Sequence, residues 1–384
     1  MKNILVIICI LFLASWSFSA EAGMFDKVSN TVSAGYVKAG TVEVGSLSWR
    51  PDLKLGPLGL GLDVNVPLGN VRPADYESVV FRYAEYDDGQ KGLRYGILDR
   101  ITLGHGLLMK NYATRVALPG LSYNDQMGLK GYYNHNIFGF HAMNTWSHVY
   151  AIRLTQRVHP MLILGQSFVT DEDGVQVRQS DGTIRSFAPQ GGIAVDATVP
   201  FPFGFEGYAE AAQLNNHGKA ASVGIDWSTQ MLGFVAAFDT GYRFVGGNFV
   251  PGYFNEEYEI NPTDISSVAA QGIRRDGYFA DFKAKLPKVL NLDISYENYN
   301  GGNGAIAALA ESYLREDIEV SAYYQQPNFV DFNSLTLENG AVMGAKIGYY
   351  VNPFTKVITH YRKAYNPATG QVEETQFYEV ALSF

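Results

Sequence analysis

Beyond about residue 38, apolar and polar residues alternate with a period of two in segments of about ten residues, the signature of β-strands rather than helices. Leu290, Leu292, Ile294 and Tyr296 share one face, and Asn291, Asp293, Ser295 and Glu297 the other. Ile318, Val320, Ala322 and Tyr324 alternate with Glu319, Ser321, Tyr323 and Gln325. Tyr278, Ala280, Phe282 and Ala284 alternate with Phe279, Asp281, Lys283 and Lys285, and Met343, Ala345, Ile347 and Tyr349 with Gly344, Lys346, Gly348 and Tyr350. A soluble sandwich shows the same alternation, one face on a core and the other in water. Two features point instead to a barrel in a membrane. The apolar faces often end in Tyr, Phe or Trp, as an aromatic girdle requires, and the polar faces are rich in Gly, Ser and other small residues.

The connections support the same reading. Short ones near 134–136, 158–160, 200–203, 228–231, 287–290, 314–317 and 351–354 alternate with longer polar stretches at 171–186, 214–218, 244–276, 299–302, 327–340 and 364–373. Short turns at one end and long loops at the other are the periplasmic and extracellular connections of an outer-membrane barrel. Water is absent from the bilayer core, so every spanning backbone group must pair and the sheet must close.

At the carboxyl end, Gln376, Tyr378, Val380, Leu382 and Phe384 occupy one face, with Phe377, Glu379, Ala381 and Ser383 on the other. Here the chain resembles bacterial outer-membrane β-barrel proteins, porins among them, whose last strand commonly ends in a terminal Phe after alternating apolar positions. The resemblance implies that Tyr378, Val380, Leu382 and Phe384 form a recognition signal for the barrel-assembly machinery. It also implies outer-membrane lipid around the chain. A homotrimer would need an outward face depleted of large apolar residues, and Gly207, Ala209 and Ala211 are the hint of one.

Residues 1–22 have a basic start, an apolar stretch from Ile4 to Ala14 and a small-residue site ending Ala20-Glu21-Ala22, the pattern of a secretory signal peptide. Cleavage removes one Lys and one Glu, so the net charge of −9 is unchanged. It also removes Cys9, the only cysteine, and with it disulfides, thiolate metal sites and cysteine nucleophiles. An acidic exported chain is a poor partner for nucleic acid. Charged residues make up 17%, against about 25% in ordinary soluble chains, which fits a protein with half of each strand in lipid. Residues 23–37 precede the first clear strand, and Met24, Phe25, Val28 and Val32 would line one side of a short periplasmic or plugging helix. The expected fold is therefore all-β: residues 38–384 form a single closed antiparallel transmembrane barrel. At about ten residues per strand and per connection it has about 18 strands, with 16 as the alternative. About 19 segments alternate, but an even number is required; the surplus lies between Tyr83 and Gln126.

A barrel this wide leaves an aqueous channel. Its inward positions include Lys130, Arg153, Arg157, Glu206, Glu210, Asp226, Asp239, Asp281, Lys283, Asp293, Glu297, Glu319, Lys346, Lys356, His360, Arg362 and Glu379. Solvation in a wet lumen accounts for each singly; together they argue for a water-filled pore. In general porins a long loop folds into the channel, its acidic residues facing a basic cluster on the wall. The stretch 244–276 carries Glu256, Glu257, Glu259 and Asp264, which could oppose Lys130, Arg153 and Arg157. It departs from the porin pattern in not being the third loop, and an external loop with a solvated acidic tip is the simpler reading.

Two further stretches resemble sites. Asp171-Glu172-Asp173-Gly174 starts like a calcium loop but lacks the downstream Glu, and Ser180-Asp181-Gly182 reads better as the tip of a hairpin. Gly104, His105 and Gly106 do not match a phosphate-binding spacing and suggest a bend or bulge in a strand; a segment folded into the lumen is the alternative. The pattern thus predicts passive diffusion of small hydrophilic solutes through an outer-membrane porin, without metal or other cofactor. A channel selective for sugars or apolar compounds is the runner-up, though an apolar cargo would need an apolar lumen. An outer-membrane hydrolase would need a nucleophile held by a base, and neither a G-x-S-x-G motif nor a serine motif near any of the seven His is present.

Overall fold

The computed structural model describes residues 27–39, 42–68, 79–114, 127–178, 184–231, 233–256, 258–259, 262–265, 275–287, 289–300, 304–329, 333, 341–366 and 371–383. The expected signal peptide, the hairpin tip at 180–182, Glu257 and Phe384 lie outside them. Extended backbone dominates. Its strands are β1 (Lys27–Ala39), β2 (Val42–Leu55), β3 (Leu58–Leu68), β4 (Val79–Asp87), β5 (Lys91–Gly96), β6 (Ile101–Leu103), β7 (Met109–Tyr112), β8 (Gly128–Asn134), β9 (Phe138–Thr145), β10 (Val149–His159), β11 (Leu162–Asp171) and β12 (Gln176–Arg178). They continue with β13 (Ile184–Ser186), β14 (Gly191–Pro200), β15 (Phe205–Leu214), β16 (Lys219–Met231), β17 (Phe234–Val245), β18 (Arg275–Leu286), β19 (Leu290–Tyr299), β20 (Gly304–Arg315), β21 (Ile318–Phe329), β22 (Val342–Asn352), β23 (Thr355–Asn366) and β24 (Gln371–Ser383).

Among the described residues, 20 strands form one antiparallel sheet. Neighbours along the chain pair in turn, β5 joins β8 and β11 joins β14. The sheet closes where β24 meets β1, with Thr31 opposite Ser383 and Val37 opposite Phe377. The remaining strands form two small hairpins, β6–β7 and β12–β13. The count of 20 replaces the expected 18. Connections at 56–57, 160–161, 316–317 and 353–354 are much shorter than the average assumed, leaving room for more strands. The helix expected within residues 23–37 is also replaced, because Lys27–Ala39 is β1. Its β-branched Val28, Thr31, Val32 and Val37 favour extended backbone, and only a strand there supplies the partner β24 needs.

Alternation sorts the two faces of the wall. Ile152, Leu154, Ile193, Val195, Val223, Ile225, Ile347 and Val380 point outward and are exposed, as a lipid-facing belt must be. Phe201, Phe203, Phe205, Phe234 and Phe354 ring the end with the short connections, and Tyr36, Trp146, Phe244 and Tyr278 the other. The inward face is polar, with Ser33 and Ser48 sharing a 2.5 Å hydrogen bond across β1 and β2. The tightly packed apolar core lies inside the barrel, between the wall and two segments folded into the lumen.

Candidate functional site in the barrel lumen

After β5 the chain leaves the wall. Gly96 has a φ of +129° and lies so close to the Arg82 carbonyl and the Tyr83 backbone that a Cβ would collide with both. Residues 97–114 then enter the lumen as the β6–β7 hairpin and return to a neck where the Thr114 amide donates to the Leu98 carbonyl at 2.9 Å. The tip lies against the inner wall. His105 stacks on Tyr208 of β15 with ring centroids 3.6 Å apart, and its Nε2 is 2.9 Å from Thr198 Oγ1 of β14. Burial pushes its imidazole down to about 4, so it is neutral at neutral pH. The Leu107 amide donates to Glu210 at 3.1 Å. Gly104 has a φ of +62° and stands where a side chain would meet the Glu210 carboxylate and the Arg153 guanidinium, so the approach requires glycine. The expected bend or bulge in a strand at 104–106 is thus the turn of a hairpin that belongs to the lumen.

A second segment, from residue 246, packs on the first. The Gly252 amide donates to the Leu107 carbonyl at 2.8 Å and the Lys110 amide to the Phe254 carbonyl at 3.0 Å, forming a parallel bridge between Met109 and Phe254. Leu107, Leu108, Met109 and Tyr112 meet Phe249, Tyr253, Phe254 and Tyr258 in a core that also takes in Val149, Val169, Leu214 and Val245 of the wall. In an aqueous lumen the hydrophobic effect acts as in a soluble protein, at about 1.5–3 kcal/mol for each large side chain buried. Polar anchors fix the base of this inward body. Glu259 accepts from Tyr112 and from Ser147 Oγ at 2.6 Å, and Tyr258 donates to Asp171 at 2.6 Å. Burial raises the Glu259 carboxyl above its ordinary value. The solvated external loop favoured for 244–276 is therefore corrected over its described part: aromatic residues every few positions carry it into the core.

The candidate residues divide on the wall. Arg153 of β10 donates to Asp196 of β14 through two bonds of 2.6 and 3.0 Å, and to Ser167 Oγ. Arg157 sits at the turn and donates to the Pro160 carbonyl. Lys130 lies opposite Arg94, which pairs with Glu85 at 2.8 Å. These three bases do not face the loop carboxylates as a cluster, and Asp264 pairs instead with Arg185 of β13. Glu256 lines a cavity in the lumen with Asp293, which is 3.6 Å from Lys283. Glu297 is 2.6 Å from the buried Arg243, whose guanidinium also lies 4.0 Å over the Phe279 ring. Lys346 and Lys356 share Glu319, and Arg362 lies opposite Gly344. Asp171, the start of the calcium-like stretch, closes a turn by accepting from the Asp173 and Gly174 amides.

Register adds an arrangement that alternation alone leaves unseen. Glu206 faces Asp226, Asp226 faces Asp239, and Asp239 faces Asp281, a lateral row on β15, β16, β17 and β18. Lys110, from the inward hairpin, reaches Asp281 at 2.7 Å and Glu297 at 3.9 Å. Neither Lys110 nor Arg243 stood out in the sequence. The only signal for Lys110 was its place at the end of the Gly-rich stretch 101–110.

A closed antiparallel barrel, apolar outside and charged inside, with chain folded into its lumen, has the architecture of a transmembrane β-barrel. No protein-family model matches the chain, and no curated protein is significantly similar. Among solved structures it is similar to OccK5 (OpdH) of Pseudomonas aeruginosa, at 12% identity and a TM-score of 0.45 over 94% of this chain and 99% of that one. OccK2 (OpdF) of the same organism, in complex with glucuronate, gives 10% and 0.44 over 93% and 97%. A BenF-like porin from Pseudomonas fluorescens Pf-5 gives 10% and 0.43 over 94% and 100%.

Proposed function

We infer that the protein is an outer-membrane porin through which small hydrophilic solutes diffuse passively. The observation that carries this reading is the charged cavity left beside the inward body. It has a volume of about 590 Å³ and is lined by Lys110 and Glu256 of the inward body and by Lys283, Asp293, Glu297, Ala305, Ala307, Leu309 and Tyr323 of the adjoining wall strands β18 to β21. Charged groups at this density need water or each other, and the wall around them has an exterior suited only to lipid. The short connections belong on the periplasmic side, with both β1 and β24 reaching the edge there, and the longer ones outside. Tyr378, Val380 and Leu382 are exposed on the outward face of β24, which supports their reading as an assembly signal. The narrowing by residues 97–114 favours a passage that sorts solutes over one open to all, so a substrate-selective channel is the second reading. Reconstitution of folded protein into planar bilayers tests both. Stepwise single-channel conductance is expected, and a folded barrel that never conducts would remove the porin reading.

A further inference from the structure

The carboxylate row holds more charge than its counter-ions. Among the described residues, only Lys110 makes an ion pair with a member of the row Glu206, Asp226, Asp239 and Asp281. Neighbouring strands lie about 5 Å apart, and like charges directly opposite repel. Lys110 is not part of the wall. Its ammonium is carried there by the inward hairpin, in the residue just before Asn111, whose own φ is +53°. A cavity of about 260 Å³ adjoins it, lined by Asp226, Asp239, Asp281 and Asp293 together with His105, Lys110 and Lys283, the last of these 3.6 Å from Asp293. The chain therefore already seats primary ammonium groups in this place, Lys110 on the row and Lys283 on Asp293, and leaves room for a small further one. Beside Glu297 and Asp293, on the paired strand β20, Ala305, Ala307 and Leu309 present an apolar strip that suits the hydrocarbon part of a solute.

We propose that the passage selects cationic solutes, small molecules bearing an ammonium group, and that Lys110 is its specificity-determining residue. This rests on the porin reading. A solute's ammonium exchanges with that of Lys110 along the carboxylate row, and the lysine sets how strongly the row attracts the next cation. No bond is made or broken. Removing the tethered charge leaves the row's full negative potential to mobile cations. At a separation of a few ångströms and partial screening, one unit charge is worth a change of about three-fold in the cation-to-anion permeability ratio.

The test is the reversal potential of single channels in a KCl gradient, for variants whose folding is confirmed by heat-modifiable mobility in gels. The wild type is expected to prefer cations, Lys110→Gln to raise the permeability ratio about three-fold, and Asp239→Asn/Asp281→Asn to bring it below the wild-type value. Lys363→Gln removes the same charge from the outer face, where Lys363 pairs with Glu374 at 2.7 Å, and is expected to leave the ratio unchanged. 1,4-Diaminobutane on one side is expected to interrupt the wild-type current, and to do so at lower concentration in Lys110→Gln. An unmoved ratio in Lys110→Gln, an equal shift in Lys363→Gln, or indifference to the diamine would overturn the proposal. Folded variants that all fail to conduct would overturn the porin reading, and this proposal with it.

Discussion

Replacing Phe254 by Ala separates the contribution of the inward body from that of the wall. Phe254 is fully buried, bridges Met109 through the backbone, and has its ring 4.8 Å from that of Tyr258 and 5.1 Å from that of Tyr253. It is not part of any wall strand, so the barrel should close without it. Truncating a buried Phe costs about 3–5 kcal/mol, and each 1.4 kcal/mol is about ten-fold in an equilibrium. The ratio of docked to undocked inward body should therefore fall by about two to three and a half orders of magnitude. In single-channel recordings this reads as larger mean conductance with excess open-channel noise, while heat-modifiable mobility stays that of the wild type. Limited proteolysis should also begin to cut within 246–256. Unchanged conductance and noise in a folded Phe254→Ala barrel would show that the inward body does not set the width of the passage.

The His105 imidazole, held at about 4 by burial on Tyr208, gives the tip a pH window. Its folded value lies below the ordinary 6.5, so the contribution is complete above pH 6.5 and fades as the pH falls toward 4. Channel noise should rise over that window in the wild type and not in His105→Phe; a rise of equal size in both would refute the assignment. Glu259, raised by burial, acts in the opposite sense, and the comparison of the two proteins isolates the imidazole. On the exterior, Val195 is exposed in the middle of β14, and Val195→Arg should destabilise the barrel by about 2–4 kcal/mol in lipid. Urea unfolding from bilayers measures this, and an unchanged midpoint would contradict the lipid-facing assignment.

The wall was legible because a two-residue period is a local property that lipid outside and water inside impose on every spanning strand. The outward rows Leu290–Tyr296 and Met343–Tyr349, and the polar faces between them, needed no tertiary information. Strand number was harder, since Lys27–Ala39 mixes small polar and β-branched residues with few large apolar ones, and reads weakly until β24 is placed beside it. Residues 97–114 were ambiguous for a different reason. Leu107, Leu108 and Met109 lie consecutively, and all three are buried because hairpin and wall enclose them from several sides. The carboxylate row depends on register, which sets Asp226, Asp239 and Asp281 side by side across strands with different turns between them. Alternation shows that each points inward and says nothing about which meets which.

The seam between β1 and β24 has a kinetic meaning. The Thr31 and Ser383 hydroxyls are 3.3 Å apart although 352 positions separate them in the chain. The other wall pairings can form in succession, but this one waits for the two extremities to meet, and contacts of such long separation are those that slow folding most. Until then the growing sheet carries two open edges, each a template for pairing with another chain. Survival of the nascent wall thus depends on whatever shields those edges, and a chain shortened before Gln371 would keep both of them unpaired.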